Sequence, residues 1–430
     1  MGVRLPVIYL PCALRLSPLL IIGRVGKQFN MSASPDSSKK GLLQPGQIIR
    51  PMIKPSDVPA LVLKLFGLTT VSVKELNSYD DKNFHIKVES SKNNQNIEEL
   101  SPNGYVLKIL NSMDSKNEKI VSAQNQMMLF LHSRGFNVPK PQKNIHGTHM
   151  IIEEINFPVD EFVENNEIEK QNNQYLVRLL TFIPGKILHQ VLYTTDLAYE
   201  CGVFIAKLDN ELMKFQNEDL KSRQFIWMLE NTPELSKFMF AVRDEKHNKL
   251  IQEILEAWKM NVMPLIPSLE KGMIHGDFNE QNILVNSEPH DSTTFHINGL
   301  LDFGDVQHGC YVFELAIAIM YQMIEVTCMP PIEYGGHIIA GYLTQRTISE
   351  DEWNILKECV AARFAQSLVM GAYSYEQDPG NEYLLVTAAK GWDILANFWK
   401  TPKEEIINQW NESIKSYQNR HSVPSMRQLQ

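Results

Sequence analysis

The spacing of apolar residues changes near Phe182 of this 430-residue chain, and that change limits the fold more than any other feature. Before it, apolar residues come in short alternating runs, the spacing of strands with one buried face. Such runs occupy Val71–Leu76, Asn83–Val88, Tyr105–Leu110, Met150–Ile155 and Tyr175–Phe182. Two helices interleave with them. One covers Val58–Phe66, with Ser56 or Asp57 as N-cap and Gly67 as stop, and the other covers Lys116–Arg134, ending at Gly135. The polar stretch Ser90–Gly104 reads as a long hairpin loop, and a charged insert separates the last two runs. Beyond Pro184-Gly185 the spacing is mainly helical. Thr195 or Asp196 caps a helix reaching Phe215, Tyr311–Val326 is apolar almost throughout, and residues 350–373, 380–399 and 403–418 continue the pattern. Short strands, such as Ile283–Val285 and Ile297–Leu301, are expected among these helices. The expected fold class is α+β, a β-rich lobe followed by a larger helical one, with a cleft between them suited to a ligand. The expected boundaries are an N-terminal extension and linker over 1–55, lobes over 56–183 and 184–420, and a tail over 421–430.

Two motifs fall in the second half. One is His275-Gly276-Asp277-Phe278-Asn279-Glu280-Gln281-Asn282, and the other, beginning twenty residues after Asn282, is Asp302-Phe303-Gly304. An aspartate, four residues, an asparagine, a strand and Asp-Phe-Gly is the order of the catalytic and metal loops of kinases. A hydroxyl attacking a γ-phosphate is helped by a carboxylate that takes its proton. The triphosphate carries Mg²⁺, which takes hard oxygen ligands. Asp277 is thus placed as the base, with Asn282 and Asp302 as metal ligands. Alone, Asp277 would read as a loop or N-cap aspartate; the two partners at the right spacing change that reading. His275 reads as a brace for the loop, and Asp305 as a second acid or a solvated charge. Lys108, in Tyr105-Val106-Leu107-Lys108-Ile109, resembles the V-A-I-K strand that sets a lysine on phosphate. The turn after the first strand, Asn77-Ser78-Tyr79-Asp80-Asp81-Lys82, has no glycine, so phosphate contact there falls to Ser78 and backbone amides.

Composition narrows the partners. A net charge of −9 argues against nucleic acid, whose phosphates call for a basic face. The five cysteines are dispersed, with no C-x-x-C, and read as reduced thiols of an intracellular protein. His146 and His149 flank Gly147 in a turn rather than forming a zinc pair. Nothing approaches the length of a membrane span, and no protein partner is indicated. The first 34 residues contain Arg4, Arg15, Arg24 and Lys27 and no acid, so mitochondrial targeting stands as an alternative to a cytoplasmic location. Pro6, Pro11 and Pro18 break the helix that a presequence needs.

The H-G-D-x-x-x-x-N form, with Gly276 where protein kinases have arginine, resembles the aminoglycoside phosphotransferase and choline kinase superfamily. Within it the chain is similar to the hydroxylysine kinases over about residues 56–418. Ser78–His85, Tyr175–Thr181, Gly299–Asp305 and Gln366–Met370 carry that likeness. The resemblance implies a bilobal protein-kinase-like fold and GTP-dependent phosphorylation of the 5-hydroxyl of 5-hydroxy-L-lysine, a step of amino-acid breakdown. It also implies Asp277 as proton acceptor, Lys108 on phosphate, and Leu180, Thr181, Phe182 and Ile183 as the hinge beside the base. Two positions depart from the family. Gln124, with Gln126 nearby, stands where a glutamate should pair with Lys108, leaving Glu118 as a substitute. Asp209 stands where many relatives carry histidine.

The short span from Gly304 to the apolar stretch beginning at Tyr311 leaves no room for an activation segment and argues against a protein substrate. Other small acceptors (homoserine, choline, ethanolamine, methylthioribose), ATP as donor, and a weakly active nucleotide-binding module stand as alternatives. A cationic amino-acid acceptor would be met by carboxylates and an arginine, for which Glu325, Glu376 and Arg363 are candidates.

Overall fold

In the computed structural model of the protein, the described residues are 42–47, 49–91, 94–155, 174–377 and 387–422. The basic N-terminal stretch, the charged insert and the end of the tail lie outside them.

The first lobe opens with α1 (Val58–Phe66), with Pro59 in its first turn and Gly67 at φ 63° as its C-cap. Asp57 occupies the N-cap position, but its side chain bonds Ser56 instead of a helix N–H. There follow β1 (Leu68–Leu76), β2 (Lys82–Ser91), β3 (Tyr105–Ile109), α2 (Glu118–Ser133), β4 (Pro141–Gln142), β5 (Ile151–Glu154) and β6 (Gln174–Thr181). The sheet is antiparallel in the order β1-β2-β3-β6-β4, with β5 also on β6.

Strand side chains alternate between faces, so one sheet has two chemistries. Phe84, Ile86, Tyr105, Leu107, Ile109, Tyr175, Val177 and Leu179 pack with Val58, Val62, Leu65 and Phe66 of α1 into one apolar cluster. The residues between them face the other way. Lys108 stands opposite Asn83 on one side and Arg178 on the other, which puts two buried cations next to each other.

The second lobe comprises β7 (Lys186–Ile187), α3 (Thr195–Leu212), α4 (Glu218–Lys221), α5 (Glu245–Ala257), β8 (Lys271–Ile274), β9 (Ile283–Glu288), β10 (Asp291–Leu300) and β11 (Gln307–Cys310). The helices α6 (Tyr311–Glu325), α7 (Pro331–Tyr342), α8 (Glu350–Gln377), α9 (Ala388–Lys400) and α10 (Lys403–Ser422) complete it. This is the expected α+β bilobal fold.

Helix α3 begins under Thr194, whose extended backbone and hydroxyl accepting from Leu197 N at 3.2 Å make it the cap, in place of the expected Thr195 or Asp196. Helix α2 starts two residues later than expected because Asp114–Lys116 forms a separate 3₁₀ turn. Helix α6 is buried from Tyr311 to Ile324, as its almost wholly apolar sequence requires, and it takes Glu314 and Gln322 into the interior with it. Beside it α3 and α7 approach closely at Gly202 and Gly341, where a Cβ would overlap the Ile338 and Tyr199 carbonyls.

Strand pairing fixes the site. Strand β8 pairs with β11 and β9 with β10, so the β8–β9 and β10–β11 loops lie side by side. These loops hold the two motifs.

Candidate active site

The β8–β9 loop turns at Gly276, whose φ is 80° and whose N–H donates to Glu314 Oε2 at 2.8 Å. A Cβ there would lie 2.5 Å from the Asp305 carbonyl oxygen and 2.6 Å from Gln307 Nε2, so no larger residue fits. The turn presents Asp277. Its Oδ2 accepts from Asn282 Nδ2 and Asn279 Nδ2, both at 2.8 Å, and its Oδ1 from Arg363 Nη2 at 2.9 Å. Every partner is a donor, which leaves the carboxylate oriented and acceptor-only. Arg363 comes from α8, is almost fully buried, and is fixed by Gln366 Oε1 and the Trp227 carbonyl. His275 braces the two loops: its Nδ1 accepts from Asp277 N–H at 3.4 Å and its Nε2 donates to the Leu301 carbonyl at 2.9 Å. Burial pushes the His275 pKa down, in keeping with that neutral tautomer.

In the β10–β11 loop Asp302 has φ 51° and is the one non-glycine with positive φ among the described residues. Aspartate tolerates this region better than most residues, and such strain gathers at functional positions. Its Oδ1 accepts from Lys108 Nζ at 2.8 Å and from Gly304 N–H at 3.1 Å. Packing of the cleft walls raises its pKa, but Lys108, then Arg178 and the Gly304 N–H outweigh that and hold it at about 2. A 39% exposed Asp302 side chain leaves Oδ2 open to the cleft. Asn282 spends its Nδ2 on Asp277, leaving its Oδ1 free. The open donors of Asn282 and Asp302 are therefore both hard oxygens, the set that fits Mg²⁺.

Lys108 is 4% exposed, and its second carboxylate is Asp81 at 3.7 Å, on the β1–β2 turn. It is not a residue of α2. Gln124 instead donates to the Gly304 carbonyl at 2.9 Å, while Gln126 and Glu118 are exposed. Ser78 shapes the same turn, donating to the Asp81 carbonyl at 2.6 Å and accepting from Arg50 at 3.5 Å. Burial, then the charges of Asp81 and Asp114, raise Asp80 to about 7. At the end of β6, Leu180 is buried, the Thr181 N–H donates to the Lys140 carbonyl and the Phe182 N–H to the Gly104 carbonyl, both at 3.0 Å. The Phe182 ring stacks on His85 at 3.8 Å, and Ile183 follows. The structure thus joins Asp277 to Asn282 and Lys108 to Asp302, and ties Ser78 to Asp81 of its own turn and to Arg50.

Several residues at the site carry no motif. Arg178 bonds Asn125 at 3.2 Å, and Arg223 donates to the Gly304 and Val306 carbonyls at 2.7 and 2.8 Å. Arg178 had a signal, as a lone charge inside the apolar run Tyr175–Thr181; Arg223 had none. Burial, then the charge of Asp277, pushes Asp305 well above the carboxylate range. Glu314 is raised to about 7, first by burial, and Asp209 rises for the same reason, with the Tyr342 hydroxyl donating to it at 3.3 Å. Of the acceptor candidates, Arg363 lies against Asp277, Glu376 is engaged by Arg243 at 2.7 Å, and Glu325 lies beside His189.

Sequence comparison matches residues 88–346 to the profile of the phosphotransferase enzyme family, described by the letters APH. Hydroxylysine kinase of Danio rerio is 33% identical over 86% of this chain and 98% of its own length. Hydroxylysine kinase of Bos taurus is 34% identical over 87% and 98%. In structure, an amicoumacin kinase in complex with AMP-PNP and Ca²⁺ aligns with a TM-score of 0.55 at 13% identity, covering 82% of this chain and 95% of its own. A microcompartment-associated aminopropanol kinase aligns at 0.52 with 14% identity, covering 80% and 97%. Both likenesses bear on the fold.

Proposed function

Because the chain belongs to the phosphotransferase enzyme family, and within it to the hydroxylysine kinases, we propose that it transfers the γ-phosphoryl group of GTP to the 5-hydroxyl of 5-hydroxy-L-lysine. It is a small-molecule kinase with an alcohol acceptor. The observation that carries the reading is the pairing of Asp277 with Asn282 and of Lys108 with Asp302 at one cleft, in a chain matching hydroxylysine kinases over most of its length.

In this reading the hydroxyl oxygen bonds to Pγ as the bond from Pγ to the β–γ bridging oxygen breaks. The hydroxyl proton passes to Asp277 and then to solvent. Arg363, Asn279 and Asn282 hold the carboxylate in line. Lys108 turns from Asp302 towards the phosphates, and Asn282 and Asp302 would hold Mg²⁺, which would supply charge neutralisation on the phosphate oxygens. Leu180 to Ile183 border the base. In the cell the reaction belongs to breakdown of a modified lysine. The lobes divide near residue 183.

The test is a phosphorylation screen of hydroxylysine, homoserine, choline and ethanolamine with GTP and with ATP. The expected result is turnover of hydroxylysine with GTP preferred. Turnover of another acceptor with hydroxylysine untouched overturns the acceptor, and an ATP preference overturns the donor.

A further inference from the structure

A second polar cluster includes a residue of the candidate base's own loop and is idle in the reaction as described. Among the described residues, His189, Glu280 and Glu325 bring one nitrogen and two carboxylate oxygens within 4.8 Å of one another. Glu280 belongs to the Asp277 loop itself, three residues on. It is 6% exposed, and its Oε2 has no hydrogen-bond partner. Tyr193 is 5% exposed, its hydroxyl is also unpartnered, and the charges of Glu280 and Glu325 both bear on it. Two buried polar atoms without partners beside a second carboxylate form a costly arrangement unless a ligand completes it.

A cationic ligand that donates several hydrogen bonds satisfies both carboxylates and favours their charged form. A primary ammonium group meets those terms with three N–H donors. The cluster already draws one: Lys390 Nζ lies 3.6 Å from Glu325 Oε2, at the edge shared with His189. Position supplies the rest. In a vicinal amino alcohol the ammonium carbon neighbours the carbinol carbon, so an ammonium on Glu280 holds the hydroxyl next to Asp277. We propose that Glu280, Glu325 and the Tyr193 hydroxyl form the subsite for the acceptor's side-chain ammonium group. This rests on the amino-alcohol kinase reading and assigns residues to it.

The experiment separates binding from turnover. L-lysine has the ammonium group but no hydroxyl, and norleucine lacks that ammonium. Their dissociation constants are measured by titration calorimetry on the full chain, in wild type and in Glu280→Gln, Glu325→Gln and Tyr193→Phe, with nucleotide binding as the check on folding. Wild type should prefer lysine over norleucine by about 10- to 100-fold, the worth of hydrogen bonds to charged groups. Each Gln variant should lose most of that preference, and Tyr193→Phe, which removes one hydroxyl, should lose part of it. Retention of the preference in all three variants overturns the subsite, as does its absence in wild type. So does a site-specific Zn²⁺ or Mg²⁺ affinity that Glu280→Gln abolishes while lysine binding holds. A wild type that prefers lysine through Glu280 yet never phosphorylates hydroxylysine would overturn the function and leave the subsite standing.

Discussion

Asp277 accepts hydrogen bonds from three side chains on two different supports: Asn279 and Asn282 of its own loop and Arg363 of α8. Removing its charge while keeping its shape isolates the proton-accepting role proposed for it. Asp277→Asn should lower kcat by about 10²- to 10⁴-fold, the usual worth of a general base. Nucleotide affinity should hold, because the bonds Lys108 makes are to Asp302 and Asp81 rather than to Asp277. Steady-state kinetics paired with equilibrium nucleotide titration checks both halves, and a wild-type kcat would remove Asp277 from the role. The amide also places an N–H against Arg363 or an asparagine, where it meets only other donors. Some loss of stability is therefore expected, and a thermal melt separates it from the kinetic loss.

Helix α2 shows how one element can stand in the expected place and work differently. Its spacing was legible, and it does pack Ala123, Met127, Met128 and Leu131 into the main core. The expected partner for Lys108 on this helix is absent. Gln124 instead holds the Asp-Phe-Gly turn through the Gly304 carbonyl, alongside Arg223. A glutamate at this position would therefore not restore a better site. Its carboxylate would face a carbonyl oxygen and add a negative charge near Asp81, Asp114 and Asp302. Gln124→Glu should cost about 1–3 kcal/mol of stability, the penalty for an unsatisfied buried group, and should raise the KM for nucleotide. Urea unfolding and nucleotide kinetics read the two effects, and a more stable or tighter-binding variant would refute the account.

The same contrast explains which parts of the fold and site the sequence disclosed. Asp277, Asn282 and Asp302 were visible because loop chemistry fixes their spacing, and Lys108 because a cation in an apolar strand demands a partner. Asp81 and Arg363 reach those residues across long sequence separations, through strand register and through α8. No local pattern reports such contacts. Thr194 displaced its neighbours as cap through backbone geometry, which the residue type alone does not specify.

At the scale of the molecule, the two lobes share a core. Leu180 at the end of the sheet and the inner face of α2 belong to the same apolar cluster as α3, α6, α7 and α8. Polar links cross the cleft as well: Lys108 to Asp302, Gln124 to Gly304 and Arg223 to Asp114. The α1 face of the sheet has its own large apolar cluster, which includes no residue of the second lobe among the described residues. Lobes joined in this way should unfold together, since exposing the α2 face removes part of the second lobe's core at the same step. Calorimetry should therefore show one transition with calorimetric and van't Hoff enthalpies in agreement. Saturation with nucleotide and Mg²⁺ at about 100 times Kd should move that whole transition upward, corresponding to about 2.7 kcal/mol. Two resolved transitions, with only the earlier one shifted by nucleotide, would mean that the sheet lobe folds on its own α1 core and that the shared cluster does not couple the lobes.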